Sequence, residues 1–212
     1  MNISIYKTVK DQNSDDTIEI SDFLEGVRTG KWQDYIIPIR AEKDKEKIRK
    51  LKLKIPAVTI SGTFEERTDS SIIKHSGFMA IDIDDLHDSV EDVKYILSQD
   101  KYIYAAFSSV SGRGICAIIK VDPEKHRRAY DSFADYLLNN YKIDVDASGK
   151  NESRLRFVSY DPFLYLNENA TTFRRYLPVQ KKRQLPPPIK IEGNLERIIS
   201  EMVERGVNCT ED

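Results

Sequence analysis

Cysteine is nearly missing from this chain: Cys116 and Cys209 are the only two among 212 residues. Two distant thiols make no disulfide framework, so a reducing compartment, the cytoplasm, is expected. Histidine is scarce as well, at His75, His87 and His126, which excludes a zinc site of Cys/His spacing. No apolar run reaches the length of a membrane span. The N-terminal Met1-Asn2-Ile3-Ser4-Ile5-Tyr6-Lys7 alternates like a short strand rather than like a signal or transit peptide. Charge of one sign is also lacking: 33 Lys and Arg against 35 Asp and Glu leave a net −2. Contact with a polyanion must therefore come from a local patch, because the whole molecule supplies no steering field. There are no internal repeats.

Against these absences one segment stands out, Gly77-Phe78-Met79-Ala80-Ile81-Asp82-Ile83-Asp84-Asp85-Leu86. It reads as a buried strand carrying two carboxylates two residues apart. Strand side chains alternate faces, so Asp82 and Asp84 share one face with Phe78 and Ala80, while Met79, Ile81 and Ile83 point into a core. Two such charges roughly 7 Å apart repel by about 2 kcal/mol at an effective dielectric near 20. A hard divalent cation between them relieves that repulsion. An acidic strand end running into a polar loop is the plain alternative.

The surrounding pattern gives the pair a setting. Ser21–Arg28 reads as a capped helix, Tyr35–Ile39 as a strand, Glu42–Lys52 as a charged helix and Ala57–Ser61 as a strand. Next come the acidic strand, a helix over Ser89–Ser98 and a strand over Tyr102–Ser108. The turn Ser109-Val110-Ser111-Gly112-Arg113-Gly114 leads into a strand over Ile115–Val121. Asp122-Pro123 opens a helix to about Tyr141, and Arg154–Tyr160 is the fourth strand. This order, β-α-β-β-α-β, predicts an α+β fold with an RRM- or ferredoxin-like core preceded by an N-terminal α/β unit. The acidic strand and the third strand should lie side by side at the centre. Two helices should cover one sheet face, leaving the other for a ligand or a further layer.

Alternation then places Arg154 and Arg156 on the face of Asp82 and Asp84, with Leu155 and Phe157 toward the helices. Cys116, Ile118 and Lys120 fall on that same face. Acids for a metal, arginine forks for phosphate and a glycine turn whose amides form an anion nest are the components of a nucleotidyl-transfer site. Each has a bland reading as surface ion pair, hairpin turn or packed thiol; convergence on one face is what favours chemistry. His75, His87 and His126 read as polar loop or surface residues. Beyond Tyr176 the composition changes. A catalytic domain over 1–178 would be followed by a basic, proline-rich linker over 179–192. An amphipathic helix over 193–212 would then begin a further domain.

The sequence Ile81-Asp82-Ile83-Asp84, then Ser111-Gly112-Arg113-Gly114-Ile115-Cys116, then Ile143-Asp144-Val145-Asp146 resembles the three ordered motifs of archaeo-eukaryotic primases and primase-polymerases. The closer likeness is to the bacterial VirE N-terminal-like branch. It is carried also by Ile55–Phe64 and by Ser153-Arg154-Leu155-Arg156-Phe157-Val158-Ser159-Tyr160-Asp161-Pro162. The resemblance spans roughly 22–176 and implies the primase fold and a DNA primase-polymerase, a nucleotidyltransferase. Asp82, Asp84 and a third carboxylate, Asp146 or else Asp144, would hold two Mg²⁺ or Mn²⁺ ions. Ser111, Gly112, Arg113, Cys116, Arg154 and Arg156 would meet an incoming dNTP or NTP. A DNA template and primer would be partners, crossing the open sheet face with help from Arg174, Arg175, Lys181, Lys182 and Arg183. A helical or helicase domain would follow in the chain, with no membrane involved. The family pattern carries histidine where Cys116 stands, so a weak or inactive nucleotide-binding module is the alternative. A rolling-circle endonuclease would need His-x-His, which is absent.

Overall fold

Among the described residues, five short strands and three helices precede the acidic strand. Asn2–Tyr6 (β1) pairs antiparallel with Asp16–Glu19 (β2) and with Ala57–Thr59 (β3). Between them lie helices Ile20–Thr29 (α1), Gln33–Ala41 (α2) and Lys45–Lys52 (α3). Helix α3 starts where Asp44 accepts from the amides of Glu46 and Lys47, later than the charge pattern alone suggests. The expected strand over Tyr35–Ile39 is instead part of α2. Ile36 and Ile39, three apart, are buried, while Tyr35 and Ile37 are exposed, so the apolar residues follow a helical period despite Pro38.

The computed structural model describes residues 1–84, 86, 89–145 and 147–178. The linker and final helix expected over 179–212 lie outside the described residues, as do Asp146, His87 and the basic residues Lys181, Lys182 and Arg183. The architecture below belongs to one unit, Met1–Leu177.

The hairpin Gly62–Phe64 (β4) and Ile72–His75 (β5) precedes the acidic strand Phe78–Ile83 (β6). Helix Val90–Ser98 (α4), strands Ile103–Ser108 (β7) and Ile115–Lys120 (β8), and helix His126–Tyr141 (α5) follow. Strand β8 lies between β6 and β7, antiparallel to both, and short strand Tyr165–Leu166 (β10) closes the β7 side. The acidic strand and the third strand are thus neighbours, as the pattern requires, but β6 is at the sheet edge among the described strands rather than at its centre.

The reason is the fate of the fourth strand. Only Arg156–Phe157 (β9) is extended and paired, and it joins β3 in the N-terminal sheet, ordered β2-β1-β3-β9. Beside β6 it leaves a side chain instead of a backbone: Arg156 Nη2 donates to the Ala80 carbonyl at 3.0 Å. An arginine fork thereby satisfies an edge acceptor that a paired strand would otherwise take.

Both faces of the central sheet are covered. Met79, Ile81, Ile83, Ile115, Ala117 and Ile119 pack against α4 and α5 with Phe133 and Leu137. On the opposite face Phe78, Ala80, Cys116 and Ile118 pack against Ile3, Phe23, Leu24 and Val58 of the N-terminal layer. The alternation read from the sequence therefore holds on β6, but the face expected to be open for DNA is filled by that layer. Phe157 packs with Ile36, Ile39 and Ile48 of α2 and α3, not with the helices on the sheet's other side. Asp82 is half-buried and Asp84 exposed, so the acidic strand meets solvent at its C-terminal end. Among the described residues, no helix is long and apolar enough to cross a membrane.

Candidate functional site

A cleft of about 500 Å³ opens where β6 and β7 end and the N-terminal layer meets them. The sheet register builds its floor: Asp82 lies opposite Cys116, and Cys116 opposite Phe107, so three strands present one row. Asp84, just beyond β6, extends that row into solvent and is exposed.

The walls come from three places. Ser109, Val110 and Ser111 are the start of the glycine turn; Asn151, Ser153, Arg154, Leu155, Arg156, Phe157 and Ser159 are the segment around β9; Val9, Lys52 and Arg67 belong to the N-terminal layer. The cleft therefore gathers Asp82, Asp84, Ser111, Cys116, Arg154 and Arg156, six of the residues expected from the sequence. Gly112 and Arg113 are not among its lining residues. Arg113 is exposed, and Asp144 is exposed and does not line the cleft. Asp146 lies outside the described residues, and among the described residues no three His, Cys, Asp or Glu side chains group as metal ligands. Arg175 sits over Tyr136 of α5, on the helix-covered side of the sheet, and neither it nor Arg174 lines the cleft.

The two glycines of the turn have distinct reasons. Gly112 takes φ +70°, and a Cβ there would press on the Arg40 guanidinium. Gly114 lies so close to the acidic strand that a Cβ would sit 2.5 Å from the Ile83 carbonyl oxygen and 3.1 Å from Asp84 Oδ1. The glycine-rich turn is thus what allows loop and acidic strand to touch. As an anion nest it is largely occupied by its own bonds: the Gly112 amide donates to Ser109 O and the Arg113 amide faces Ser111 Oγ. Arg40, from α2, braces it from behind, donating through Nη2 to Ser109 O at 3.0 Å and to Ser159 Oγ at 3.3 Å. Burial holds its guanidinium below the usual value, although Asp161 works the other way.

Arg156 is buried and engaged. Nη1 donates to Leu155 O, Nη2 to Ala80 O, and Nε lies 3.2 Å from Asp82 Oδ1, at ion-pair distance without hydrogen-bond alignment. It fixes one carboxylate oxygen and the edge of β6. Arg154, by contrast, is exposed and makes no ion pair with a described carboxylate. Cys116 is buried, and burial together with the Asp82 charge pushes its thiol far above the ordinary range, so it lines the floor as a neutral group.

Lys52 and Arg67 were not singled out in the sequence, where each is one base in a charged run. A helical wheel of 45–52 puts Ile48 and Lys52 on one stripe, and Ile48 is buried. That signal could have pointed Lys52 inward. Burial lowers the Lys52 ammonium below its ordinary value; Asp84 opposes the shift and Arg113 adds to it. Arg67 is aimed by its own contacts, Nε to Asp11 O and Nη2 to Val9 O.

The segment that follows β9 locks the cleft to the core. Asp161 is buried and accepts from Lys94 Nζ at 2.9 Å, the Ser108 amide at 2.8 Å and the Phe163 amide at 2.9 Å. Burial alone would raise its carboxyl, but Lys94 and these amides outweigh it and hold it below the usual value. Away from the cleft, His75 and His126, expected as a polar loop residue and a surface residue, form a pair instead. His75 Nε2 and His126 Nδ1 are 3.0 Å apart, and His126 is 2 % exposed.

Fold and site together define an α+β protein with a half-polar cleft at a sheet end, in which four cationic side chains face two carboxylates. A family model for the BT4734-like, N-terminal domain matches residues 50–166, over half of the chain, and the chain belongs to that family. Lys52, Arg67, Asp82, Asp84, Ser111, Cys116, Arg154 and Arg156 all fall within the matched span, whereas Val9 and Arg40 precede it. No curated protein and no solved structure matches the chain.

Proposed function

We propose that this chain carries a DNA primase-polymerase domain, with the cleft as its nucleotidyl-transfer site and the core as a variant of the primase fold. The observation that carries the reading is the meeting of Asp82 and Asp84 with Arg154, Arg156 and Ser111 in one cavity. Its volume lies in the ordinary range for small-molecule sites. Its lining suits a nucleotide: Val9, Val110, Leu155 and Phe157 for the base and sugar, cations for the phosphates.

Two hard carboxylates at an open strand end fit Mg²⁺ or Mn²⁺, which takes one or two protein carboxylates together with substrate phosphates. Asp82 and Asp84 would hold it, with Asp146 as the expected third carboxylate; bound there, the metal supplies charge neutralisation and activation of an attacking hydroxyl. Arg156 lies at ion-pair distance from Asp82, and Arg154, which makes no ion pair among the described residues, would meet phosphate oxygens through its guanidinium fork. The Ser109–Gly114 turn, braced by Arg40, closes one side. Because the N-terminal layer covers the sheet face, a template would approach the end of the sheet.

The test is template-dependent synthesis with Mg²⁺ or Mn²⁺ by the intact chain and by Asp82→Asn/Asp84→Asn. Activity in the first and none in the second is expected; equal activity in both ends the reading. A nucleotide-binding module without turnover is the second reading, and the neutral, buried Cys116 favours it, because a thiol cannot supply the positive charge of an imidazolium. Metal-dependent nucleotide binding by calorimetry with no synthesis would select it.

A further inference from the structure

Three cations that line the cleft, Lys52, Arg67 and Arg154, make no direct ion pair with a carboxylate among the described residues. Arg156 adds a fourth positive charge against the two of Asp82 and Asp84, so the cleft keeps an excess of positive charge in a protein whose net charge is −2. Such a group of like charges in a concave site is stabilised by an anion.

The position of each cation says more. Lys52 and Arg67 stand on the wall supplied by the N-terminal layer, whereas the acids stand on the floor supplied by β6. Two carbonyls hold the Arg67 guanidinium through Nε and Nη2, and among the described residues Nη1 has no hydrogen-bond partner. The Lys52 ammonium lies 6.0 Å from the Phe157 ring centroid. Lys52 is also within electrostatic reach of Asp84, which places it toward the acidic end of the cleft.

We propose that Lys52 and Arg67 grip the polyphosphate tail of a nucleotide, so that the cleft selects nucleoside triphosphates over monophosphates even without metal. The N-terminal layer is then part of the binding site rather than packing alone. The inference rests on the reading that the cleft receives a nucleotide, but not on the chain catalysing synthesis.

The experiment measures, in EDTA, the affinity of the intact chain for one nucleoside as tri-, di- and monophosphate, with inorganic tripolyphosphate as competitor. Each charge-assisted phosphate contact supports about a tenfold or greater effect. The triphosphate should therefore bind at least tenfold more tightly than the monophosphate, and tripolyphosphate should displace it. Lys52→Gln/Arg67→Gln should bring the ratio close to one with little change for the monophosphate. Lys52→Arg, which keeps the charge, should retain most of it and shows that the loss is not one of folding. Triphosphate preference unchanged in the double variant overturns the proposal. Synthesis that persists in that variant while the ratio stays near one in the intact chain also overturns it and leaves the polymerase reading standing. Tripolyphosphate-sensitive binding without any synthesis supports the proposal and removes the polymerase reading.

Discussion

Lowering the pH from 7 to 5 should destabilise this protein through His126. The Gly77 amide donates to His75 Nδ1, so His75 carries its proton on Nε2 and donates to His126 Nδ1. A proton added to His126 Nδ1 would set two N–H groups against each other in a buried site. Burial, the neighbouring His75 and the charges of Arg156 and Arg127 lower the His126 imidazole from 6.5 to about 3, with only Asp69 opposing them. Burial lowers His75 too. A histidine depressed on folding is bound by more protons in the unfolded chain, so its contribution is complete above the unfolded value and is lost as pH falls below it. Each pH unit below 6.5 then removes about 1.4 kcal/mol, or about 2 kcal/mol by pH 5. Urea unfolding followed by circular dichroism should show the midpoint falling by about 1 M between pH 7 and pH 5, for a slope near 2 kcal/mol per M. His126→Asn keeps an acceptor near the place of Nδ1 and removes the titration. Its stability should fall more gently over that window, by about 1 kcal/mol less per unit. An unchanged slope in this variant refutes the reasoning.

Three other perturbations have defined outcomes. Asp161→Asn leaves the buried Lys94 ammonium with the exposed Glu91 as its remaining counter-charge and should cost about 3 kcal/mol, the low end for breaking a buried pair, or roughly 10 °C in calorimetry; adding Lys94→Met should return part of it. Gly114→Ala forces a methyl group against the Ile83 carbonyl and should cost more than about 1 kcal/mol, with nucleotide binding weakened because loop and acidic strand must separate. Cys116 should resist alkylation at pH 8.5 in the native chain and react once urea unfolds it, as read by site-resolved mass spectrometry, since burial and its raised pKa suppress the thiolate.

What the sequence revealed and what it hid follow one physical division. Strict alternation in β6 and β8, and the apolar stripe of α5 through Tyr130, Phe133 and Leu137, are local signals, and they place side chains on the correct faces. The destination of Arg154–Tyr160 is not local. Arg156 suits either a sheet edge or a phosphate, and only the pairing of β9 with β3 decides that most of its donors go to protein. The same limit applies to Lys52, Arg67 and Arg40. Their roles come from an N-terminal layer folded against the sheet, which periodicity does not announce. Tyr35–Ile39 misled because a short apolar run fits either period, and the burial of Ile36 and Ile39 chose the helix.

The cleft sets two ligands against each other's absence. A divalent cation alone would meet Asp82 and Asp84 but also Lys52, Arg67 and Arg154; a bare triphosphate would meet those cations but also the two acids. Each such opposed pair is a repulsion that a low local dielectric strengthens. If the cleft is the proposed nucleotide site, metal and triphosphate bound together would each cancel the repulsion the other meets. Because linkage is reciprocal, the factor by which Mg²⁺ tightens a triphosphate must equal the factor by which the triphosphate tightens Mg²⁺. Arg156 makes this arrangement rigid. It lies at ion-pair distance from one oxygen of Asp82 and donates to the edge of β6 at once, so it ties the position of that acid to the sheet edge.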